Sequence, residues 1–272
     1  MTVQDTMIGK HPNDDLFHLW TDCVDYECDD KKRYRHLDGK DKYRDKAIET
    51  IAAWLIKYHL SDSKRVMIER KQNILRKYEF QKYAESLHIL PRTDKTKKGN
   101  FGEVVLSEYL SKTTGIKVLV YKLHYNPNVD QSMKGDDVLL VDKQKIILGE
   151  SKFRATPNKK AVEDASELMG DSMVLPLSLG FIADRLLEQG DSKLAEEIFD
   201  IQYKIGKTDI DIKNVGFLIS TKSVCRYVEN NINSCNNEFI FLSLGIENPV
   251  DFMNEAFKKA EELLVDVNKH EN

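Results

Sequence analysis

The sequence predicts an α/β fold in which a central sheet is flanked by helices. Three observations predict it. Short runs at Val138-Leu139-Leu140-Val141, Ile146-Ile147-Leu148, Val215-Gly216-Phe217-Leu218-Ile219 and Glu238-Phe239-Ile240-Phe241-Leu242 are largely apolar on both faces of an extended chain, as strands buried between two layers are. Amphipathic segments with helical spacing stand before, between and after these runs. A chain of 272 residues with 41% hydrophobic and 32% charged residues can bury one large core, or a core with a satellite. Thirteen Gly and six Pro exclude collagen-like and low-complexity chains.

The elements follow in order. The first forty residues mix an apolar patch, Leu16-Phe17-His18-Leu19-Trp20, with the polar stretch Asp29-Asp30-Lys31-Lys32-Arg33 and carry no chemical motif. From Ala47, apolar side chains recur at Ile48, Ile51, Ala52, Leu55 and Ile56, the stripe of an amphipathic helix. His59 falls on that stripe and reads as a packed core histidine rather than a ligand. The basic segment beyond it reads as helical to about Leu87, so residues 1–98 form a mainly helical N-terminal region. Pro91 and Lys95-Thr96-Lys97-Lys98-Gly99 read as a loop.

Residues 99–272 make the second region. Gly99-Asn100 caps a helix over Phe101–Lys112, with Gly115 just past its end. Strands are expected at 117–124, 137–141 and 145–153, then a helix from Lys159 to about Met169. A helical insertion at about 174–203 bends around Gly190. Strands at 215–219 and 238–242 and a helix over Phe252–Val267 complete the order αβββα, helical insertion, β, β, α.

No apolar run approaches membrane-spanning length, and Met1-Thr2-Val3-Gln4-Asp5 is no secretory signal, so a cytoplasmic protein is expected. Cys23, Cys28, Cys225 and Cys235 lack zinc-type spacing and are too sparse for a disulfide framework; they read as reduced thiols. The formal net charge of -4 hides a basic stretch: Lys64 to Lys98 holds eleven Lys/Arg against four acids, a local +7. Arg70, Lys71, Arg76, Lys77, Lys97 and Lys98 are its candidate phosphate contacts, against the alternative of a solvated helix face. Tyr78, Phe80 and Tyr83 lie among them, available for base stacking but more in keeping with core packing.

The candidate chemistry lies in the hairpin. An acid two residues before a lysine is common in this chain, as at Glu69/Lys71, Asp62/Lys64 and Asp211/Lys213, so the string Glu150-Ser151-Lys152 means little without context. Context comes from geometry. Residues two apart on a strand share a face, so Glu150 and Lys152 project together with Ile146 and Leu148. A hairpin loop of two or four residues places Val141 opposite Ile146, Leu139 opposite Leu148 and Asp137 opposite Glu150; a three-residue loop selects Asp136 instead. Facing carboxylates repel unless a pKa rises or a cation intervenes, and a hard divalent ion is the natural occupant. Lys152 beside them can orient a water or stabilise the charge of phosphodiester cleavage. Glu103 heads the row Glu103, Leu106, Leu110 and either reaches toward the sheet or simply favours a helix N-terminus.

A helix bearing Glu, a hairpin bearing Asp, then Glu-x-Lys and a following helix resembles the PD-(D/E)xK nuclease superfamily. Within it, Gly102-Glu103, Lys134-Gly135-Asp136-Asp137 and Gly149-Glu150-Ser151-Lys152 resemble the HamA family, nuclease subunits of the Hachiman anti-phage system. The likeness is specific over roughly 99–160 and topological elsewhere. It implies a restriction-endonuclease-like core, αβββαβ, with a mixed central sheet flanked by helices. It further implies that Asp137 and Glu150 bind Mg2+ (or Mn2+), that Lys152 assists the attacking water and that Glu103 is an accessory ligand. The superfamily's proline before the aspartate is missing, which leaves Asp136 as the alternative to Asp137. DNA as substrate, a HamB-like helicase as partner, and no membrane or small-molecule cofactor are implied as well. A non-catalytic DNA-binding or scaffolding subunit, or an RNA-directed nuclease, is the alternative.

Overall fold

The computed structural model describes residues 1–26, 32–133, 135–167, 169–170, 173–205 and 210–270, the side chains of 84–86 and 265–270 excepted. Its centre is a six-stranded mixed sheet, as expected of the fold class. The strands are β1 (Thr21–Asp25), β2 (Tyr34–Gly39), β3 (Val138–Val141), β4 (Lys145–Phe153), β5 (Asp211–Ser220) and β6 (Phe239–Gly245). Their spatial order is β1-β2-β6-β5-β4-β3. The inner four strands run parallel, and an antiparallel partner closes each edge: β1 on β2, β3 on β4.

Alternate side chains of the central strands feed two cores, which is why these runs are apolar throughout. Ile147, Val215, Phe217, Ile219, Ile240, Leu242 and Leu244 join one core with the helices α3 (Arg44–His59), α6 (Asp94–Thr114) and α11 (Pro249–His270). The short α1 (Val3–Ile8) and α2 (Leu16–Trp20) pack on the same side. Ile146, Leu148, Ile212, Leu218, Phe239 and Phe241 join the other core, with α7 (Lys159–Ser166), α8 (Leu179–Glu188), α9 (Ser192–Lys204) and α10 (Val224–Asn231). Between α3 and α6 lie α4 (Asp62–Lys77) and α5 (Gln81–Ser86); α4 has no buried residue.

The structure departs from expectation at four places. The first forty residues, expected within a mainly helical region and without a chemical motif, supply β1 and β2, and β2 pairs with β6 from Tyr34↔Phe241 to Asp38↔Gly245. The division drawn at residue 98 therefore crosses the sheet. Residues 117–124 are not a strand: the segment runs without ladder pairing, and Lys122–Tyr125 is a 3-10 turn. Its apolar side chains pack instead on both cores, Val118 and Tyr121 on one, Leu119 and Val120 on the other, so the β-rich composition reported burial rather than pairing.

The expected loop 95–99 is helix. Thr93 caps it by accepting a hydrogen bond from Thr96 N at 3.3 Å, so α6 starts well before Phe101 and Gly99 sits inside it. At its other end Gly115 adopts a left-handed conformation, φ 75°, and stops the helix as anticipated. The fourth departure is α10, between the last two strands, which the expected order left out. Its apolar stripe, with Val224 and Val228 buried, is only eight residues long and hard to separate from a loop by periodicity.

Candidate active site

The β3–β4 hairpin carries the candidate residues. Asp142 N donates to Lys145 O at 2.8 Å, closing a turn around Lys143-Gln144. The register is Val141↔Ile146 and Leu139↔Leu148, as the even-numbered loop requires. Asp137 lies just before β3, where its Oδ2 accepts a hydrogen bond from Ser151 N at 2.9 Å, beside Glu150. On the opposite face of β4, Ser151 meets α6: a Cβ added to Gly102 would lie 2.1 Å from Ser151 Oγ. Only a residue without a side chain lets helix and strand approach so closely, and the approach brings the next residue, Glu103, to the end of the hairpin.

Glu103 is therefore not in a first turn, where a helix dipole would favour it, but in mid-helix and buried. Its Oε2 lies 3.2 Å from Lys122 Nζ, and the same ammonium donates to the Asp136 carbonyl at 2.7 Å. Burial pushes the Glu103 carboxyl up to about 7; Lys122 opposes the rise and the Asp137 charge adds to it. Burial likewise raises Glu150, again helped by Asp137 and opposed by Lys152 and Lys122. Glu150 and Lys152 form an ion pair on the shared face that alternation requires. Asp137 thus lies within electrostatic reach of both Glu103 and Glu150, and desolvation penalises the charge of those two until a cation compensates it.

Asp136 points elsewhere. Its Oδ2 accepts hydrogen bonds from Leu177 N at 3.2 Å and Ser178 N at 3.1 Å, tying the hairpin to the chain entering α8. In chemistry and charge, the oxygens of Asp137, Glu150 and Glu103 fit a hard divalent cation. In this structure Glu103 is engaged by Lys122 and Glu150 by Lys152. Among the described residues no three acidic, imidazole or thiol groups gather tightly enough to cage an ion unaided. A cavity of about 290 Å³ opens beside Glu103, Lys122 and Asp137, walled by Tyr58, Val120 and Phe181.

A family model described as HamA matches residues 14–260. A Bacillus cereus protein, "Hachiman protein HamA", is 59% identical over 266 residues, covering 98% of each chain. The chain belongs to the HamA family. The HamA match reaches from just before α2 into α11 and so takes in β1 and β2, well beyond the 99–160 stretch in which the motifs are legible.

The other HamA-chain candidates are dispersed. Arg70, Lys71, Arg76 and Lys77 are exposed on α4, whereas Lys97 and Lys98 are half-buried on α6, Lys97 Nζ lying 5.6 Å from the Phe257 ring centroid. Tyr78, Phe80 and Tyr83, expected to favour core packing, are 64%, 53% and 66% exposed. Sequence reasoning quoted Gly102 within the Gly102-Glu103 motif without seeing its close approach to β4, and missed Lys122. A glycine inside a helical pattern and a lysine inside the apolar run Val118-Leu119-Val120-Tyr121-Lys122-Leu123 were the available signals. Cys23, Cys225 and Cys235 are free thiols, as expected; Cys28 lies outside the described residues. Lys134, of the Lys134-Gly135-Asp136-Asp137 turn, does too. Among the described residues no helix is long and apolar enough to cross a membrane.

Proposed function

We propose that this chain is a metal-dependent deoxyribonuclease, the effector subunit of a two-component anti-phage defence system, held in check by a HamB-like helicase. The observation that carries the reading is the placement of Asp137, held by Ser151 N, beside the Glu150–Lys152 pair at the end of the β3–β4 hairpin on the sheet's edge, with Glu103 of α6 within reach of the Asp137 charge. The HamA relationship supports the defence role and the helicase partner.

Asp137 and Glu150 are the residues to hold Mg2+ or Mn2+, with Glu103 accessory. The ion, when bound, supplies Lewis-acid polarisation of the scissile phosphoryl oxygen. Lys152, restrained by Glu150, holds the attacking water or the developing negative charge. Their mutual ion pair, on half-buried positions of one face of β4, keeps both groups in one orientation, so little reorganisation is needed when a phosphodiester arrives. The exposed bases of α4, with Tyr78 and Phe80 beside them, offer phosphate contacts and stacking rings.

The test is cleavage of plasmid DNA and of structured RNA in Mg2+, with and without the helicase. Glu150→Ala and Lys152→Ala are each expected to lower the DNA rate about 100-fold or more, and a chelator to abolish it. Cleavage surviving both substitutions rejects this site. Preferential cutting of RNA selects the RNA-directed reading, and metal-independent binding without cutting selects the scaffold. Arg70→Glu with Lys71→Glu is expected to weaken DNA binding and flatten its salt dependence, measured by fluorescence anisotropy.

A further inference from the structure

Lys122 belongs to none of the motifs on the hairpin, yet its ammonium sits among the acids. The turn that carries it is anchored to α3 and to the start of α4. Lys64 Nζ donates to Leu123 O at 3.2 Å, His124 Nε2 lies 2.8 Å from Lys57 O, and Tyr121 packs edge-on against Tyr58 with ring centroids 4.7 Å apart. From that base Nζ reaches Glu103 at 3.2 Å and the Asp136 carbonyl at 2.7 Å, on a side chain only 17% exposed. Its charge acts on Glu150 as well as on Glu103. Lys152 compensates Glu150, so Glu103 and Glu150 are each paired with a lysine.

A lysine in this position does two things at once. It offsets the like-charge repulsion that Glu103, Asp137 and Glu150 would otherwise impose on the folded chain, and it occupies Glu103, the acid that α6 delivers to the site. An ammonium and a divalent cation compete for the same carboxylate oxygens. The Asp136 carbonyl, which Lys122 also holds, remains available to it if Glu103 is given up.

We infer that Lys122 is a resident counter-ion, holding Glu103 while the site is metal-free and yielding it by exchange when a divalent cation enters. Lys122 is thus a positioning residue: it keeps the acids folded without metal and lowers the affinity with which metal is taken up. This rests on the metal-site reading above.

The experiment uses full-length protein and Mn2+ as the probe. In wild type, amine acylation read by mass spectrometry is expected to label Lys122 weakly in chelator and several-fold more strongly with saturating Mn2+. Calorimetric titration of Lys122→Met is expected to give Mn2+ binding about tenfold tighter than wild type, because a positive charge beside the site is gone. Its melting temperature in chelator is expected to fall and to recover in the double variant Lys122→Met with Glu103→Gln. Should Lys122→Met not fold, the wild-type labelling decides alone. Mn2+ binding with unchanged labelling of Lys122 overturns the exchange while leaving the metal site standing, and so does unchanged or weaker affinity in a folded Lys122→Met. Absence of Mn2+ binding in every protein overturns the metal reading and the exchange with it.

Discussion

His59 lies on the apolar stripe of α3, and both its ring nitrogens have partners: Nδ1 lies 2.7 Å from Leu55 O and Nε2 lies 2.8 Å from Asn100 Nδ2. Donation from Nδ1 and acceptance at Nε2 satisfy a neutral ring, so the core-histidine reading of the sequence holds. The pair also fastens the end of α3 to α6, the helix that delivers Glu103. Burial pushes the ring down to about 4, and His36, beside Ser243, down to about 4 as well. At these two histidines the unfolded chain binds more protons than the folded one between pH 4 and 6.5, so their contribution to stability falls as pH drops through that window, while the raised carboxyl of Glu103 works in the opposite direction. Each histidine accounts for roughly 3 kcal/mol of the loss. Urea midpoints from pH 7 to pH 4, compared between wild type and His59→Gln, are expected to show a smaller loss of stability toward acid in the variant.

Helix α6 and strand β4 meet at Gly102 and Ser151, and the meeting fixes where the candidate acids stand. Gly102→Ala places a Cβ 2.1 Å from Ser151 Oγ, and is expected to destabilise by about 1–3 kcal/mol and to lower any cleavage by displacing Glu103. Ser151 Oγ is buried with no hydrogen-bond partner, so Ser151→Ala alone is expected to be nearly neutral or stabilising. Combined with Gly102→Ala, it is expected to recover most of the lost stability in thermal melts. No pattern of spacing announces this contact, because it joins residues 49 positions apart through the absence of a side chain. The hairpin was legible for the opposite reason: its pairing is local, and the even loop fixes the register that puts Val141 across from Ile146.

At the scale of the whole molecule, the N-terminal forty residues close the sheet. They pair β2 along β6 and bury Phe17, Trp20, Tyr34 and Leu37. Arg35 fixes them, its guanidinium bound to Asp25 at 2.6 Å, Asp5 at 2.9 Å and the Gly9 carbonyl at 2.8 Å. A chain starting at residue 41 would leave the β6 edge bare, and is expected to aggregate in size-exclusion chromatography. Arg35→Ala, which strands Asp5 and Asp25 beside a cavity, is expected to cost roughly 3–5 kcal/mol by urea unfolding.

What the sequence determined by itself was whatever repeats at short range: the apolar-on-both-faces strands, the helical stripes of α3 and α11, and the hairpin that aligns Glu150 with Lys152. Those patterns arise from burial at fixed periods of two and 3.6 residues, which one segment records on its own. Only the tertiary structure decided that residues 117–124 run unpaired with Lys122 turned inward, that Glu103 stands in mid-helix, and that Asp137 rather than Asp136 faces the other acids. Each of these depends on which distant backbone comes within hydrogen-bonding reach, and a local pattern of polarity carries no record of that.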